Sequence, residues 1–178
     1  MTYNLSKVLI IDTETTGLSL SDEILQLSII DGTGKVLLSN FYKPVSHSCW
    51  PFAYKVNLIS PEMVQDCRPI AADAAAIGSL IRDAEVVVGF NIRFDIGMIE
   101  RNIPGISFSE KQIIDVHNLY VNFEKQGRVE KLSRHRLADV SQAMGFSVSS
   151  GERLHDALTD VKATLHSFLQ LNNVIINR

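Results

Sequence analysis

Residues 7–18 read Lys7-Val8-Leu9-Ile10-Ile11-Asp12-Thr13-Glu14-Thr15-Thr16-Gly17-Leu18, and the change of character halfway along decides the fold. The unbroken Val/Leu/Ile run suits a strand covered on both faces, the interior position in a sheet with helices on either side. Asp12 ends the run and Thr15-Thr16-Gly17 breaks it. Side chains two apart on a strand point to the same face, so Asp12 and Glu14 leave the end of the strand together. Open α/β sheets receive their ligands at that end. The competing reading makes the two acids turn residues meeting solvent.

Outward from this segment, residues 24–30 and 36–42 read as strands, with Asp31-Gly32-Thr33-Gly34 as hairpin chemistry between them. A stretch from Pro44 to Pro51 precedes helical signals, and Ser60-Pro61-Glu62 is a helix start with a serine cap. The alanine-rich residues 70–82 carry a helical period. Residues 85–90, EVVVGF, form another buried strand, and Asn91 is the expected cap of a helix bearing Ile92, Ile96 and Ile99. Gln112–Asp115 is a short strand; Leu137, Val140 and Met144 mark one helix, and Ala157, Leu158, Val161, Leu165, Phe168 and Leu169 a long final one. Three strands followed by alternating helices and strands favour a three-layer α/β domain with a mixed sheet.

The 178 residues fit one domain, since domains commonly run about 100–200 residues. With 46% hydrophobic and 21% charged residues the composition is that of a soluble globular protein and excludes disordered and collagen-like classes. No apolar run approaches the ~18 residues of a membrane span, and the N-terminus does not read as a signal peptide. Cys49 and Cys67 have no CxxC spacing and read as reduced thiols of a cytoplasmic protein. Seventeen basic against 20 acidic residues give −3, which argues against a protein held to nucleic acid by bulk charge. It leaves room for a local acidic cluster and a local basic strip.

Two further sites put charge at the ends of apolar elements. Asn91-Ile92-Arg93-Phe94-Asp95 follows the EVVVGF strand and places Asp95 in a first helical turn, where an acid also serves the helix dipole. His155-Asp156-Ala157-Leu158-Thr159-Asp160 opens the final helix. At ~100° per residue, five residues separate side chains by ~140°, so His155 and Asp160 converge only if His155 precedes the regular helix or sits at its loose start. Asp156 suits a capping acid, whereas Asp160 lies near the apolar stripe, where an unpaired carboxylate is costly. If Asp12, Glu14, Asp95 and Asp160 gather, they repel one another without cations, and oxygen-only ligands suit Mg²⁺ or Mn²⁺ rather than Zn²⁺. A neutral histidine beside them could take a proton from water. That equipment fits two-metal phosphodiester hydrolysis.

At IIDTETTGL (residues 10–18), NIRFD (91–95) and HDALTD (155–160), in that order and separation, the sequence resembles the DEDDh 3′–5′ exonucleases, the DnaQ-like group on the ribonuclease H-like fold. The group includes the proofreading subunit of bacterial replicative polymerase. The resemblance covers nearly the whole chain and implies one exonuclease domain over residues 1–178. It implies a five-stranded mixed sheet with an antiparallel second strand and helices on both faces. It implies Asp12, Glu14, Asp95 and Asp160 as ligands of two Mg²⁺ or Mn²⁺ ions and His155 as general base. The step of five from histidine to aspartate marks the histidine subtype. Glu14 and the backbone after it, Thr15 and Thr16, would hold the 3′-hydroxyl end. Leu18 and Phe94 would be apolar contacts to the terminal nucleotides, with core packing as the competing role, and Asn91 would lie beside them. The implied partners are the single-stranded 3′ end of DNA or RNA and a DNA polymerase or larger replication protein. Where some proofreaders carry a base-packing histidine, this chain has Lys55-Val56-Asn57. The polymerase-binding tail of the replicative subunit is not expected after Arg178.

Residues 125–136, KQGRVEKLSRHR, hold five basic residues and one acid, a local charge of +4, and read either as a phosphate-contacting strip or as a solvated loop. His47, His117, His135 and His166 match no motif of the family. The rival functions are a non-catalytic ribonuclease H-like nucleic-acid-binding module and a phosphohydrolase with a nucleophilic aspartate; the latter wants a second Asp where Glu14 stands.

Overall fold

The apolar run becomes β1 (Val8–Thr15), the middle strand of five. In the computed structural model, which describes residues 3–176, β1 pairs antiparallel with β2 (Ile24–Asp31), and β2 pairs antiparallel with the edge strand β3 (Val36–Phe41). On its other side β1 runs parallel to β4 (Val86–Gly89), and β4 runs parallel to β5 (Gln112–Asp115). The order β3-β2-β1-β4-β5 is the mixed, five-stranded arrangement expected of a ribonuclease H-like three-layer fold. Asp31 shapes the hairpin: its Oδ1 accepts from the Thr33 amide at 2.8 Å, the Thr33 hydroxyl at 2.6 Å and the Lys35 amide at 3.1 Å.

Alternation along β1 builds two cores. Leu9 and Ile11, with Leu27, Ile29 and Val87, pack under α3 (Ala74–Asp83) and α4 (Arg93–Asn102) through Ile77, Ile81, Met98 and Ile99. Val8 and Ile10, with Ile30, Val86 and Val88, face the layer of α5 (Val116–Lys125), α6 (Leu137–Ala143) and α7 (Ala157–Ile176), filled by Tyr120, Val140, Val161 and Phe168. Asp12 and Glu14 therefore continue the Val8–Ile10 side, toward α7. A smaller cluster of Leu25, Trp50, Ile59 and Val64 seats α1 (Pro51–Asn57) and α2 (Pro61–Val64), with the Trp50 indole donating to the Ile59 carbonyl at 2.6 Å.

Several elements depart from the sequence reading. Ser60 does cap α2, its hydroxyl accepting from the Met63 amide, but that helix is a single turn. Residues 70–82 split into a 3-10 turn, Ile70–Asp73, followed by α3. Asn91 is not a cap. It takes φ 57°, the left-handed region that asparagine tolerates, and α4 begins at Arg93 with Ile92 at its N-cap position and no side-chain cap. α5 is additional to the expected elements: Asp115 ends β5 and also caps α5, accepting from the amides of His117 at 3.0 Å and Asn118 at 3.4 Å. Among the described residues no helix is long and apolar enough to cross a membrane.

Ile10 is fully buried in the α5–α7 layer. Ile10→Ala should destabilise the fold by about 2–5 kcal/mol, read as a lowered urea midpoint with unchanged slope. A loss below about 1 kcal/mol would mean that this layer is not a close-packed core.

Candidate active site

The carboxyl end of β1 is tied to the start of α4 by a single carboxylate. Asp95 Oδ1 accepts from the Thr13 amide at 2.9 Å and the Thr13 hydroxyl at 2.7 Å, and Asp95 is buried. Thr13 points to the α4 side, so its neighbours Asp12 and Glu14 point to the α7 side. The β1–β2 register shifts between Glu14 and Thr15, the kind of irregularity that re-aims a side chain at a strand's end.

The start of α7 is fixed from β2. The buried Gln26 side chain accepts from the Ala157 amide at 3.1 Å and donates to Asp156 Oδ2 at 3.2 Å. Asp156 Oδ1 in turn accepts from the amides of Leu158 at 3.2 Å and Thr159 at 3.3 Å, which makes it the capping acid. His155 stands before the helix with φ 62°, and its amide donates to both Asp160 oxygens at 3.2 and 3.3 Å. That left-handed residue resolves the phase problem. Ligand atoms of Glu14, His155 and Asp160 lie within 4.8 Å of one another.

Arg153 closes the ring. Its guanidinium donates to the carbonyls of His155, at 2.8 Å, and of Asn57, while Asn57 Nδ2 donates to the Thr15 carbonyl at 3.1 Å. Among the described residues the only non-glycine residues at positive φ are Leu58, Asn91 and His155. Leu58 follows Asn57, while Asn91 and His155 lie in the second and third motifs; such strain is held where surrounding structure over-determines it.

The electrostatics follow from burying acids together. Asp12 is pushed well above the usual carboxylate range, first by burial and then by Asp95, Asp160, Glu14 and Asp156. Glu14 is raised to about 8 by burial and Asp160, against the pull of Arg153. Asp95 is raised to about 7 by burial, opposed by the Thr13 hydrogen bonds, and Asp160 to about 7 by burial, opposed by the His155 amide. The His155 imidazole is lowered by burial and by Arg153 and Arg136. Four acids that raise their own proton affinity in this way suit a divalent cation, and their all-oxygen donor set suits Mg²⁺ or Mn²⁺.

Beside Glu14 opens a 550 Å³ cavity with Leu18, Phe52, Ala53 and Val56 as its apolar wall. Leu18 is 85% exposed, so it is not a core residue. Phe94 is half-buried and packs against the α3–α4 layer. Asn91 is exposed, and its amide donates to Asp115 Oδ1 at 3.1 Å. The hydroxyls of Thr15 and Thr16 are spent within the loop, on the Gly17 carbonyl at 2.6 Å and Asp22 Oδ1 at 2.7 Å. A Cβ on Gly17 would meet Asp22 Oδ2 at 2.6 Å, so a larger residue there would have to displace the carboxylate that holds Thr16 and Ser19. Phe52, 84% exposed, was not among the expected site residues; its signal is the apolar i, i+4 pair with Val56 on a proline-started helix. Arg153, Gln26 and Asn57 were also missed.

An acidic cluster, buried at Asp95 and Asp160 and half-buried at Asp12 and Glu14, stands at the carboxyl end of a mixed five-stranded sheet beside a cleft with an apolar wall, an arrangement that suits a metal-dependent hydrolase of the ribonuclease H-like class. The family model for Exonuclease, RNase_T, matches residues 9–168, so the chain belongs to this DnaQ-like exonuclease family. It is 28% identical over 167 residues to an uncharacterized exonuclease, CP81, of Escherichia phage 186, covering 87% of this chain and 82% of that protein. Among solved structures it resembles the zinc-bound complex of E. coli exonuclease I with single-stranded DNA (23% identity, TM-score 0.77, 96% of this chain and 41% of that one). It also resembles exonuclease X in complex with 5′-overhanging duplex DNA (22% identity, TM-score 0.69, 93% of this chain and 91% of that one). The chain thus spans about two fifths of the length of exonuclease I.

Acids whose folded pKa is raised bind protons more tightly when folded, so stability is greatest below their unfolded values and falls as pH rises toward 7–8. In chelator, the melting temperature should therefore fall between about pH 5 and pH 8, and Mg²⁺ should restore it at pH 8. A flat profile with no response to Mg²⁺ would show that the carboxylates neither repel one another nor bind the ion.

Proposed function

We propose that the chain hydrolyses phosphodiester bonds from the 3′ end of DNA or RNA, releasing nucleoside 5′-monophosphates, with two Mg²⁺ or Mn²⁺ ions per site. The observation that carries this is the gathering of Asp12, Glu14, Asp95 and Asp160 from three separate elements, each of the other three acting electrostatically on Asp12, beside the His155 ring. Binding divalent ions relieves that repulsion. The ions supply positive charge for the transition state and make water easier to deprotonate. The protein does the rest. Thr13 holds Asp95 in place and the His155 amide holds Asp160, so these two carboxylates are already positioned, and with Asp12 and Glu14 they would hold the ions. His155 accepts the proton of the attacking water at its ring. Leu18, Phe52 and Val56 seat the terminal base; Glu14 and the backbone of Thr15 and Thr16 hold the 3′-hydroxyl; and Asn91 and Phe94 border the next nucleotide. The complexes of similar exonucleases with single-stranded DNA and with 5′-overhanging duplex DNA support a nucleic acid as substrate. The proposal extends to one domain over residues 1–178, to a cytoplasmic setting, and to a DNA polymerase or larger replication protein as partner.

A 5′-labelled single strand should shorten stepwise from its 3′ end in Mg²⁺, and Asp12→Ala or Asp160→Ala should abolish the ladder at saturating substrate. Activity within about tenfold of wild type in both variants would overturn the metal assignment.

His155→Ala should lower turnover by about 10²–10⁴-fold while metal and 3′ end still bind. Burial and the charges of Arg153 and Arg136 lower the imidazole, and divalent ions held beside it would push in the same direction. At saturating metal the wild-type acid limb should therefore lie below the ordinary imidazole value, and the variant should lack it. Loss of metal binding in parallel with activity would make His155 a ligand rather than a base.

A further inference from the structure

The basic segment between α5 and α6 is not a slack loop. Three side chains at intervals of three, Val129, Leu132 and His135, turn inward and are half-buried, while Lys131, Arg134 and Arg136 are exposed. The chain bends at residues 128, 129 and 133, and Arg136, at φ −75° and ψ 160°, leads into α6. Side chains of α5 fasten it. Glu124 Oε1 accepts from the Leu132 amide at 2.7 Å and meets His135 Nε2 at 2.9 Å, and the Tyr120 hydroxyl donates to the Glu130 carbonyl at 2.8 Å. Arg128 stacks on Phe123, 4.3 Å from the ring centroid.

The segment leads to the candidate active site. The His135 ring lies 6.1 Å from His117, which packs edge-on against Phe90 at 5.6 Å, directly before Asn91. Between the segment and α6 is a hollow of 410 Å³ that offers Ser133, Arg134 and Gln142. One of its two acids, Asp139, is already engaged by Arg136 at 2.8 and 3.0 Å; the other is Glu130.

We propose that residues 125–136 form a prealigned rail for the sugar–phosphate backbone of the strand behind the 3′ end, with Lys131 and Arg134 as its phosphate contacts. The inference rests on the nuclease reading, because it is the catalytic cleft that gives the rail its direction. A single strand fits it better than an acidic protein. Lys131, Arg134 and Arg136 stand exposed on one fastened segment, and a flexible strand that carries a charge at every nucleotide can follow its bends. The rail's charge is +4 in a chain whose total is −3, so attraction is confined to this path. A segment already held to α5 by hydrogen bonds has less ordering entropy left to lose on binding.

The test is binding of a fluorescent oligothymidylate with uncleavable 3′ linkages, in Mg²⁺, as a function of KCl concentration. Lys131→Gln with Arg134→Gln should flatten the log–log salt slope by about 1.4, two phosphate contacts on a single strand. Glu124→Ala, which removes the acceptor that fastens Leu132 and His135, discriminates further. It makes the protein more positive, so diffuse charge attraction predicts tighter binding, whereas loosening a prealigned rail predicts binding about 2–10-fold weaker. An unchanged slope in the double variant, or tighter binding by Glu124→Ala, overturns the rail. Wild-type shortening of a cleavable labelled single strand from its 3′ end in Mg²⁺ reports on the catalytic site separately. Its absence would overturn the nuclease reading, while the rail is still judged on its salt slope.

Discussion

Everything at the catalytic end of this molecule follows from keeping several carboxylates close together in a partly water-excluded place. Burial and mutual repulsion both push Asp12 upward, and Glu14, Asp95 and Asp160 share the burden. The fold answers the repulsion locally rather than by neutralising it. Asp95 is held by two donors from Thr13, Asp160 by the His155 amide, and Asp156 by two amides of its own helix and the Gln26 amide group. Arg153, the cation that moderates Glu14 and Asp160, bonds backbone carbonyls instead of a carboxylate. The carboxylates are thus positioned without being paired off, and a divalent ion meets acids still able to coordinate it.

The two-sided character of β1 makes this possible. Thr13 and Asp12 are adjacent, yet they serve opposite layers. Thr13 reaches back to α4 while Asp12 continues the Ile10 side toward α7. A helix from each side of the sheet thereby delivers one acid to the same strand end. A one-residue slip of the β1–β2 register would turn Asp12 into the α4 layer and leave Asp160 without its partners, so the core that fixes the register also fixes the site.

Much of this was legible in the sequence because its signals are local. The apolar run into Asp12, the two-residue step to Glu14 and the alternation of later elements give the sheet and its active edge. Helical phase required His155 to precede the regular helix or to sit at its loose start if it was to meet Asp160, and φ 62° is how the chain does it. What escaped has a common cause. α5 follows β5 with no intervening loop, because Asp115 both ends the strand and caps the helix, so no turn signal marks the boundary. Asn91 looks like a cap, yet its left-handed turn moves the helix start two residues on. Arg153 and Gln26 act on partners 96 and 131 residues away, and no window of sequence contains such a pair.

The same distinction separates the two kinds of charge on this protein. The acids are buried, close together and few, so their effect is strong and limited to the atoms they touch. The exposed cations of residues 125–136 are screened within about 8 Å at physiological salt, so they act only on what lies directly along them. A polyanion feels the first as a barrier and the second as a guide. Without cations in the cleft, a strand drawn along the rail would be repelled at its end by Asp12, Glu14, Asp95 and Asp160. Two divalent ions would balance the four carboxylates, and the 3′ end could then enter. Metal occupancy would then gate access to the site as well as the chemistry within it, and an overall charge of −3 would limit attraction of nucleic acid to any other face.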